Sequence, residues 1–426
     1  GIAAFFGLPV RVDSLVYNAA ALVHDGKVRG LILKRHLPTY SIFYEGRNYT
    51  SWGEGVTEIN GVPAGDIVFD LPFGKVSAEI CEDLWSTNSP AGPRARAGAE
   101  IICNPSGSPF TPLKNEHRRK LIMGASSGFQ CVYAYSNILG LDNSRLVFDG
   151  GGFIATPDGS VVEGPLLSKK YWTLTTSIVD LDDISRQRAE NTTWRLDVSR
   201  TNGKDGVVTI GARDGKFIPA TVKDYAAQLP KSFYVPTASW TMNDSTKYLD
   251  ELFDALVLGL RDYFEKVGAF EKYLVALSGG RDSALCLLLA VRAATALREG
   301  KDTKTHSERV ATVYLPNRPF SSKGTEDAAR ALAHELGVPF HVVSIAEEAE
   351  VALKKAAEMT GSPKKISALA KQNLQARVRG NMMLNWANNE NALLLVTSNL
   401  SEAAVGYTTT GGDNQGGYSP IANVPK

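Results

Sequence analysis

Cysteine is scarce: four residues in 426, Cys81, Cys103, Cys131 and Cys286. No two of them form a CxxC pair, which argues against a zinc site and a disulfide-stapled scaffold and favours a reduced, cytoplasmic setting. Long apolar runs are missing too. Nothing approaches the roughly 18 to 20 apolar residues of a membrane-crossing helix, so no membrane partner is expected. Charge of one sign is not in excess, because 46 Lys and Arg stand against 45 Asp and Glu for a formal net charge of +1. No global field therefore gathers nucleic acid or an anionic surface. What is left is an ordinary globular composition, 43% hydrophobic and 21% charged, in a chain longer than one core normally serves. Two or three domains follow.

The stretch Leu277-Ser278-Gly279-Gly280-Arg281-Asp282-Ser283 organises the second half of the chain. It joins an apolar run, Tyr273 to Leu277, to an apolar-periodic segment, Ala284 to Leu297, and reads as a buried strand feeding a helix. Two glycines let backbone amides converge on an anion, Ser278 and Ser283 add hydroxyl donors, and the helix start adds a favourable dipole. A glycine pair after a strand also serves as a plain tight turn. The lysine and the GxxxxGK[ST] spacing of the common phosphate loop are both lacking.

These residues resemble the SGGxDS signature of the ATP pyrophosphatase family, which cleaves ATP between its α and β phosphates. The resemblance implies that Ser278, Gly279, Gly280, Asp282 and Ser283 bind ATP and that Asp282 faces a metal. Around them, Tyr248 to Val267, Ala284 to Leu297 and Lys323 to Leu336 read as helices, and Arg309 to Leu315, Pro339 to Val343 and Asn391 to Val396 as strands. The alternation specifies a parallel sheet with ligands at the carboxyl ends of its strands, where the loop at 316–322 also falls.

In the first half, short apolar runs at Gly30 to Leu33, Asp66 to Phe69, Val76 to Ile80, Glu100 to Cys103 and Cys131 to Tyr135, with a helical pattern from Asn115 to Gly128, suit a layered α/β unit. Cys103, Cys131 and Cys286 lie inside apolar patterns and read as core. Cys81 stands apart, closing a strand before the acidic turn Glu82-Asp83.

With Lys34-Arg35-His36-Leu37-Pro38 and Phe43-Tyr44-Glu45-Gly46-Arg47 upstream, Cys81 resembles the nucleophile of the nitrilase superfamily, in particular the glutamine amidase domains of glutamine-dependent NAD synthetases. By that resemblance Lys34 is the triad lysine, Glu45 a supporting carboxylate, and Tyr40 and Ser108 line a glutamine pocket. An ammonium beside a thiol lowers its pKa and offers charge to an oxyanion. The motifs Asn104 to Phe110 and Phe148 to Phe153 also match the amidase pattern. The triad's glutamate has no counterpart between Gly1 and Lys34, so about a third of this domain is expected to precede residue 1.

Asn373-Leu374-Gln375-Ala376-Arg377-Val378-Arg379 and Gly406 to Asp413 are similar to signatures of the same synthetases. They imply that Thr397 contacts ATP, that Arg377, Glu402, Asp413 and Lys426 bind substrate, and that Glu402 shares a metal with Asp282. The expected fold is α/β: a nitrilase-like αββα sandwich truncated at its start (1–185), a connector (186–245), and a Rossmann-like parallel sheet of the ATP pyrophosphatase type missing its end (246–426). The implied reaction is ATP- and Mg²⁺-dependent amidation of nicotinate adenine dinucleotide (deamido-NAD) with ammonia from glutamine, in a homo-oligomer. Three readings stay open beside it: an ammonia-only synthetase with an inactive amidase, another amidotransferase with this loop, and an RNA-modifying enzyme.

Overall fold

A computed structural model describes residues 2–142, 146–201, 205–213, 244–298, 303–317 and 322–426. Positions 318–321 of the expected loop, and 202–204 and 214–243 of the expected connector, lie outside the described residues. The chain divides into two units, Gly1–Leu139 with Phe148–Tyr248, and Gly140–Val147 with Leu249–Lys426.

Unit one carries two sheets. One runs in the order Ala3–Val12, Leu15–His24, Lys27–Leu33, Val62–Gly65, Val56–Ile59. The other runs Val161–Glu163, Gly152–Ala155, Val132–Asn137, Ile101–Ser106, Gly74–Ala78, Ile67–Leu71, Val208–Gly211. Side chains alternate across a strand, so Ala20 and Leu22 join Ile32, Ile67, Phe69 and Val76 in one cluster between the sheets, while Tyr17, Ala19 and Ala21 join Leu31 and Leu33 in another. The far face of the larger sheet packs Val68, Ile102 and Tyr133 against Ile122 and Ala125 of helix Lys114–Phe129. This is the layered α/β arrangement expected of a nitrilase-like domain.

One local expectation is corrected. The strand read as Val76 to Ile80 ends at Ala78, and Cys81 opens the 3-10 turn Cys81–Trp85. The cause is Asp83, whose Oδ2 accepts the Ile80 N–H at 3.0 Å and draws the backbone away from the ladder. The stretch read as connector contains helix Thr192–Thr201 and strand Val208–Gly211, which lies parallel to Ile67–Leu71, and position 185 falls within helix Leu181–Glu190.

Unit two has a parallel sheet in the order Phe340–Val342, Val310–Tyr314, Lys272–Ala276, Ala392–Leu394. Tyr273 and Val275 face Leu260 and Phe264 of helix Asp244–Val267, Leu287 and Ala290 of helix Arg281–Arg298, and Ala329 and Ala333 of helix Lys323–Glu335. Leu274 and Val313 face the opposite way, toward Met383 and Ala387 of helix Ala368–Asn389. Both faces are covered, as the alternation of strands and helices requires. Among the described residues, no helix is long and apolar enough to cross a membrane.

Candidate active sites

In unit one the Lys34 ammonium is buried, 3% exposed, and donates to Glu45 Oε2, while Asn18 Nδ2 donates to Glu45 Oε1 at 2.6 Å. A lone buried ammonium would be costly, and Glu45 supplies the opposite charge that makes the position tenable. Asp83 ties the lysine's segment to the cysteine's turn. Its Oδ1 accepts the His36 N–H at 2.8 Å and the Arg35 N–H at 3.3 Å, while its Oδ2 holds Ile80. Burial pushes the Asp83 carboxyl up, against these hydrogen bonds and the charges of Arg94 and Lys34.

Cys81 itself has φ +48°, a left-handed conformation that side-chain-bearing residues adopt at a cost of order 1–3 kcal/mol. Its N–H donates to Asn104 Oδ1 at 3.0 Å. Desolvation pushes the thiols of Cys103, Cys131 and Cys286 up to about 12, which suits inert core positions. Tyr40 is exposed and donates to Glu82 Oε1 at 2.8 Å; desolvation and that carboxylate push its hydroxyl to about 12. Ser108 is buried in a polar knot, where its N–H donates to Asn137 Oδ1 at 2.8 Å and its Oγ accepts from Arg118 Nε at 3.3 Å; Arg118 in turn pairs with Asp149 at 2.6 Å.

Sequence reasoning missed Lys114, whose ammonium is pulled down by desolvation and by Arg118 and held up by Asp149, Cys81 and Glu82. It opens helix Lys114–Phe129, 33 positions downstream of Cys81, and a helical pattern carries no signal of which distant residue its first side chain approaches. It also missed Glu79, Asp83 and Asn104 as supports of the Cys81 turn.

In unit two the Ser-Gly-Gly loop follows strand Lys272–Ala276 and leads into helix Arg281–Arg298, whose first N–H groups have no partner within the helix. Ser283 Oγ accepts the Ser278 N–H at 3.2 Å, and Ser278 Oγ accepts the Gly280 N–H at 3.2 Å, so the two serines shape the loop from inside. Gly279 has φ +80°, and a Cβ there would stand 2.4 Å from the Thr325 carbonyl oxygen. Only glycine fits.

The carboxylates of Asp282 and Glu402 converge. Lys426 Nζ lies 3.2 Å from Asp282 Oδ2 and 3.8 Å from Glu402 Oε1. Glu402 also closes a capping box with Asn399, accepting the Asn399 N–H through Oε2 at 3.3 Å, which leaves Oε1 for the cation. An ammonium bracketed by two carboxylates marks a cation position, and hard oxygen donors suit a divalent ion whose other ligands come from phosphate and water. Among the described residues, no group of three or more His, Cys, Asp or Glu gathers for a metal. A two-carboxylate site fits only with ligands from substrate.

Beside the loop opens a cavity of about 500 Å³ lined by Ser278, Tyr314, Arg379, Thr397, Asp413 and Gln415. Asp413 Oδ1 accepts the Thr409 N–H at 2.6 Å. Arg377 is exposed and donates to the Thr410 carbonyl at 3.0 Å, whereas Arg379, two residues on, lines the cavity and donates to the Leu315 carbonyl at 3.0 Å. Gln415 Oε1 is buried with no hydrogen-bond partner among the described residues, an acceptor open to a ligand.

Two family models divide the chain: carbon-nitrogen hydrolase over residues 1–189 and NAD synthase over residues 252–426. The fold and the sites thus define a two-domain protein in which a carbon-nitrogen hydrolase domain precedes an NAD synthase domain. A glutamine-dependent NAD(+) synthetase of Aquifex aeolicus (strain VF5) is 34% identical over 426 residues, spanning 99% of this chain and 65% of the relative. One of Thermotoga maritima is 31% identical over 433 residues, spanning 100% of this chain and 66% of the relative. The solved glutamine-dependent NAD(+) synthetase of Cytophaga hutchinsonii superposes with a TM-score of 0.75 at 26% identity, covering 100% of this chain and 66% of that one. That of Acinetobacter baumannii, in complex with ADP, shares the fold with a TM-score of 0.73 at 24% identity over the same shares. The chain is similar to glutamine-dependent NAD(+) synthetases along its whole length, and it spans slightly less than two thirds of the relatives it matches.

Proposed function

We propose that the protein amidates the carboxylate of deamido-NAD to form NAD, using ATP and ammonia released from glutamine. The observation that carries this reading is the pair of carboxylates, Asp282 and Glu402, meeting at one cation position beside the Ser-Gly-Gly loop. At this site the substrate carboxylate attacks the α phosphorus of ATP and pyrophosphate leaves; ammonia then attacks the acyl carbon and AMP leaves. Ser278, Gly279, Gly280 and Ser283 cradle the phosphates, Thr397 and Arg379 border the nucleotide cavity, Asp413 contacts the dinucleotide, and Lys426 offsets charge at the reacting groups. Arg377, exposed beside the cavity, meets phosphate from its rim. A bound Mg²⁺ supplies charge neutralisation on the phosphate oxygens.

Ammonia arises in unit one. Cys81 attacks the glutamine amide carbon, Lys34 stabilises the oxyanion, Glu45 holds Lys34 in place, and Tyr40 and Ser108 border the glutamine site. The Asp83 hydrogen bonds that tie the Lys34 segment to the Cys81 turn support that assignment. We read the protein as a cytoplasmic homo-oligomer joined through its synthetase domains, a reading supported by Val351 and Met359, 58% and 88% exposed on helix Ala346–Thr360.

The test is product identification by mass after incubating the full-length protein with ATP, Mg²⁺, deamido-NAD and ammonium. NAD, AMP and pyrophosphate in equal amounts are expected. Formation of ADP and phosphate, or no consumption of deamido-NAD, would contradict the reading.

A further inference from the structure

The left-handed turn at Cys81 depends on one acceptor, Asn104 Oδ1, which receives the Cys81 N–H at 3.0 Å and the Ser106 hydroxyl at 2.7 Å. A side-chain amide can turn either its oxygen or its NH₂ toward a neighbour, and only the oxygen can accept that N–H. The choice is made two residues away from the nucleophile, at Glu79. Its Oε2 accepts from Ser89 Oγ at 2.5 Å and from the Ala91 N–H at 3.2 Å, and its Oε1 accepts the Tyr133 hydroxyl. With Glu79 ionised and the Tyr133 proton committed to it, the Tyr133 oxygen can only accept, and it does so from Asn104 Nδ2 at 2.8 Å. The amide is thereby locked with Oδ1 toward Cys81. Glu79 and Tyr133 are fully buried and Asn104 is 1% exposed, which shields the chain of bonds from solvent.

We propose that Asn104 is a positioning residue for Cys81, its amide orientation set by the Tyr133–Glu79 pair, and that this relay holds the backbone from which the sulfur attacks. The inference rests on the amidase reading above. In the attack the Cys81 Sγ–carbon bond forms, the carbon–nitrogen bond of the glutamine side chain breaks, and the nitrogen leaves as ammonia with the thiol's proton. Asn104 holds the Cys81 main-chain N–H. It acts through the Cys81 main chain.

Full-length wild type, Tyr133→Phe and Asn104→Ala are compared in glutamine hydrolysis, with kcat expressed per site titrated by 6-diazo-5-oxo-L-norleucine and the label mapped to Cys81. Misplacing a nucleophile by a fraction of an ångström costs about tenfold or more in rate. Both variants should therefore lose at least about tenfold in kcat per titrated site, with the glutamine KM within about twofold of wild type. A merely structural role would lower the titratable fraction and the Tm while leaving kcat per titrated site unchanged, and that result overturns the proposal. Should Asn104→Ala fail to fold, Tyr133→Phe, which keeps the ring, decides alone. A wild type that neither hydrolyses glutamine nor takes label at Cys81 sinks the amidase reading and this inference with it. A labelled, active wild type matched by Tyr133→Phe sinks the relay only.

Discussion

Buried charge sets the behaviour of unit one at the scale of single residues. Burial, reinforced by Asp83, pushes the Glu79 carboxyl up to about 7 against the opposing effects of Ser89, Tyr133 and Arg94. The folded protein keeps a proton that the unfolded chain releases near pH 4.5, so the stability from this difference is complete below about 4.5 and is lost as pH rises through about 7. Glu79→Gln cannot titrate and should flatten that decline by up to about 3 kcal/mol. Urea melts from pH 4.5 to 8 check it; wild-type and variant curves that run parallel would contradict the assignment. In unit two, Asp282→Ala and Glu402→Ala each remove half of the cation position, and each should lower ammonia-supported NAD formation by about 10² or more. Rates within twofold of wild type, at unchanged magnesium demand, would remove the metal assignment.

Candidate site residues were legible through the family resemblance that their motifs carry. Lys34, Glu45 and Cys81 were named from sequence, and the structure brings the first two into an ion pair and ties their segment to the third. The resemblance paired Glu402 with Asp282 and put Lys426 among the substrate-binding residues, and the structure brings the three side chains together. Asn104 and Arg379 sat inside recognised motifs without being singled out, because the feature that distinguishes them, what their side chains face, is decided by strands and helices far away in sequence.

At the scale of elements, the loop between strand Lys272–Ala276 and helix Arg281–Arg298 is fixed by a close approach. With φ +80° and the Thr325 carbonyl 2.4 Å from any Cβ, Gly279→Ala must shift either the loop or the start of helix Lys323–Glu335. That strain is of order 1–3 kcal/mol and falls on the Ser-Gly-Gly loop. ATP affinity should drop at least about tenfold by calorimetry. Unchanged affinity would mean that the loop does not touch phosphate. The strands and helices of unit two were readable because a buried parallel strand and an amphipathic helix each announce themselves by period. The end of the strand before Cys81 was not, since a carboxylate five positions beyond Ala78 captures the Ile80 N–H. Strand Val208–Gly211 pairs with Ile67–Leu71, about 140 residues earlier, and local pattern carries no information on such a pairing.

At the scale of the whole molecule, the two units have separate cores, and the proposed function places ammonia release in one and ATP-driven amidation in the other. The two activities should separate by mutation. The decisive measurement is NAD formation by full-length Cys81→Ala with glutamine and, in parallel, with ammonium as the nitrogen source. Loss of the glutamine-supported rate to background with the ammonium-supported rate within about twofold of wild type is the predicted result. Equal loss of both, or a glutamine-supported rate that survives, would contradict it.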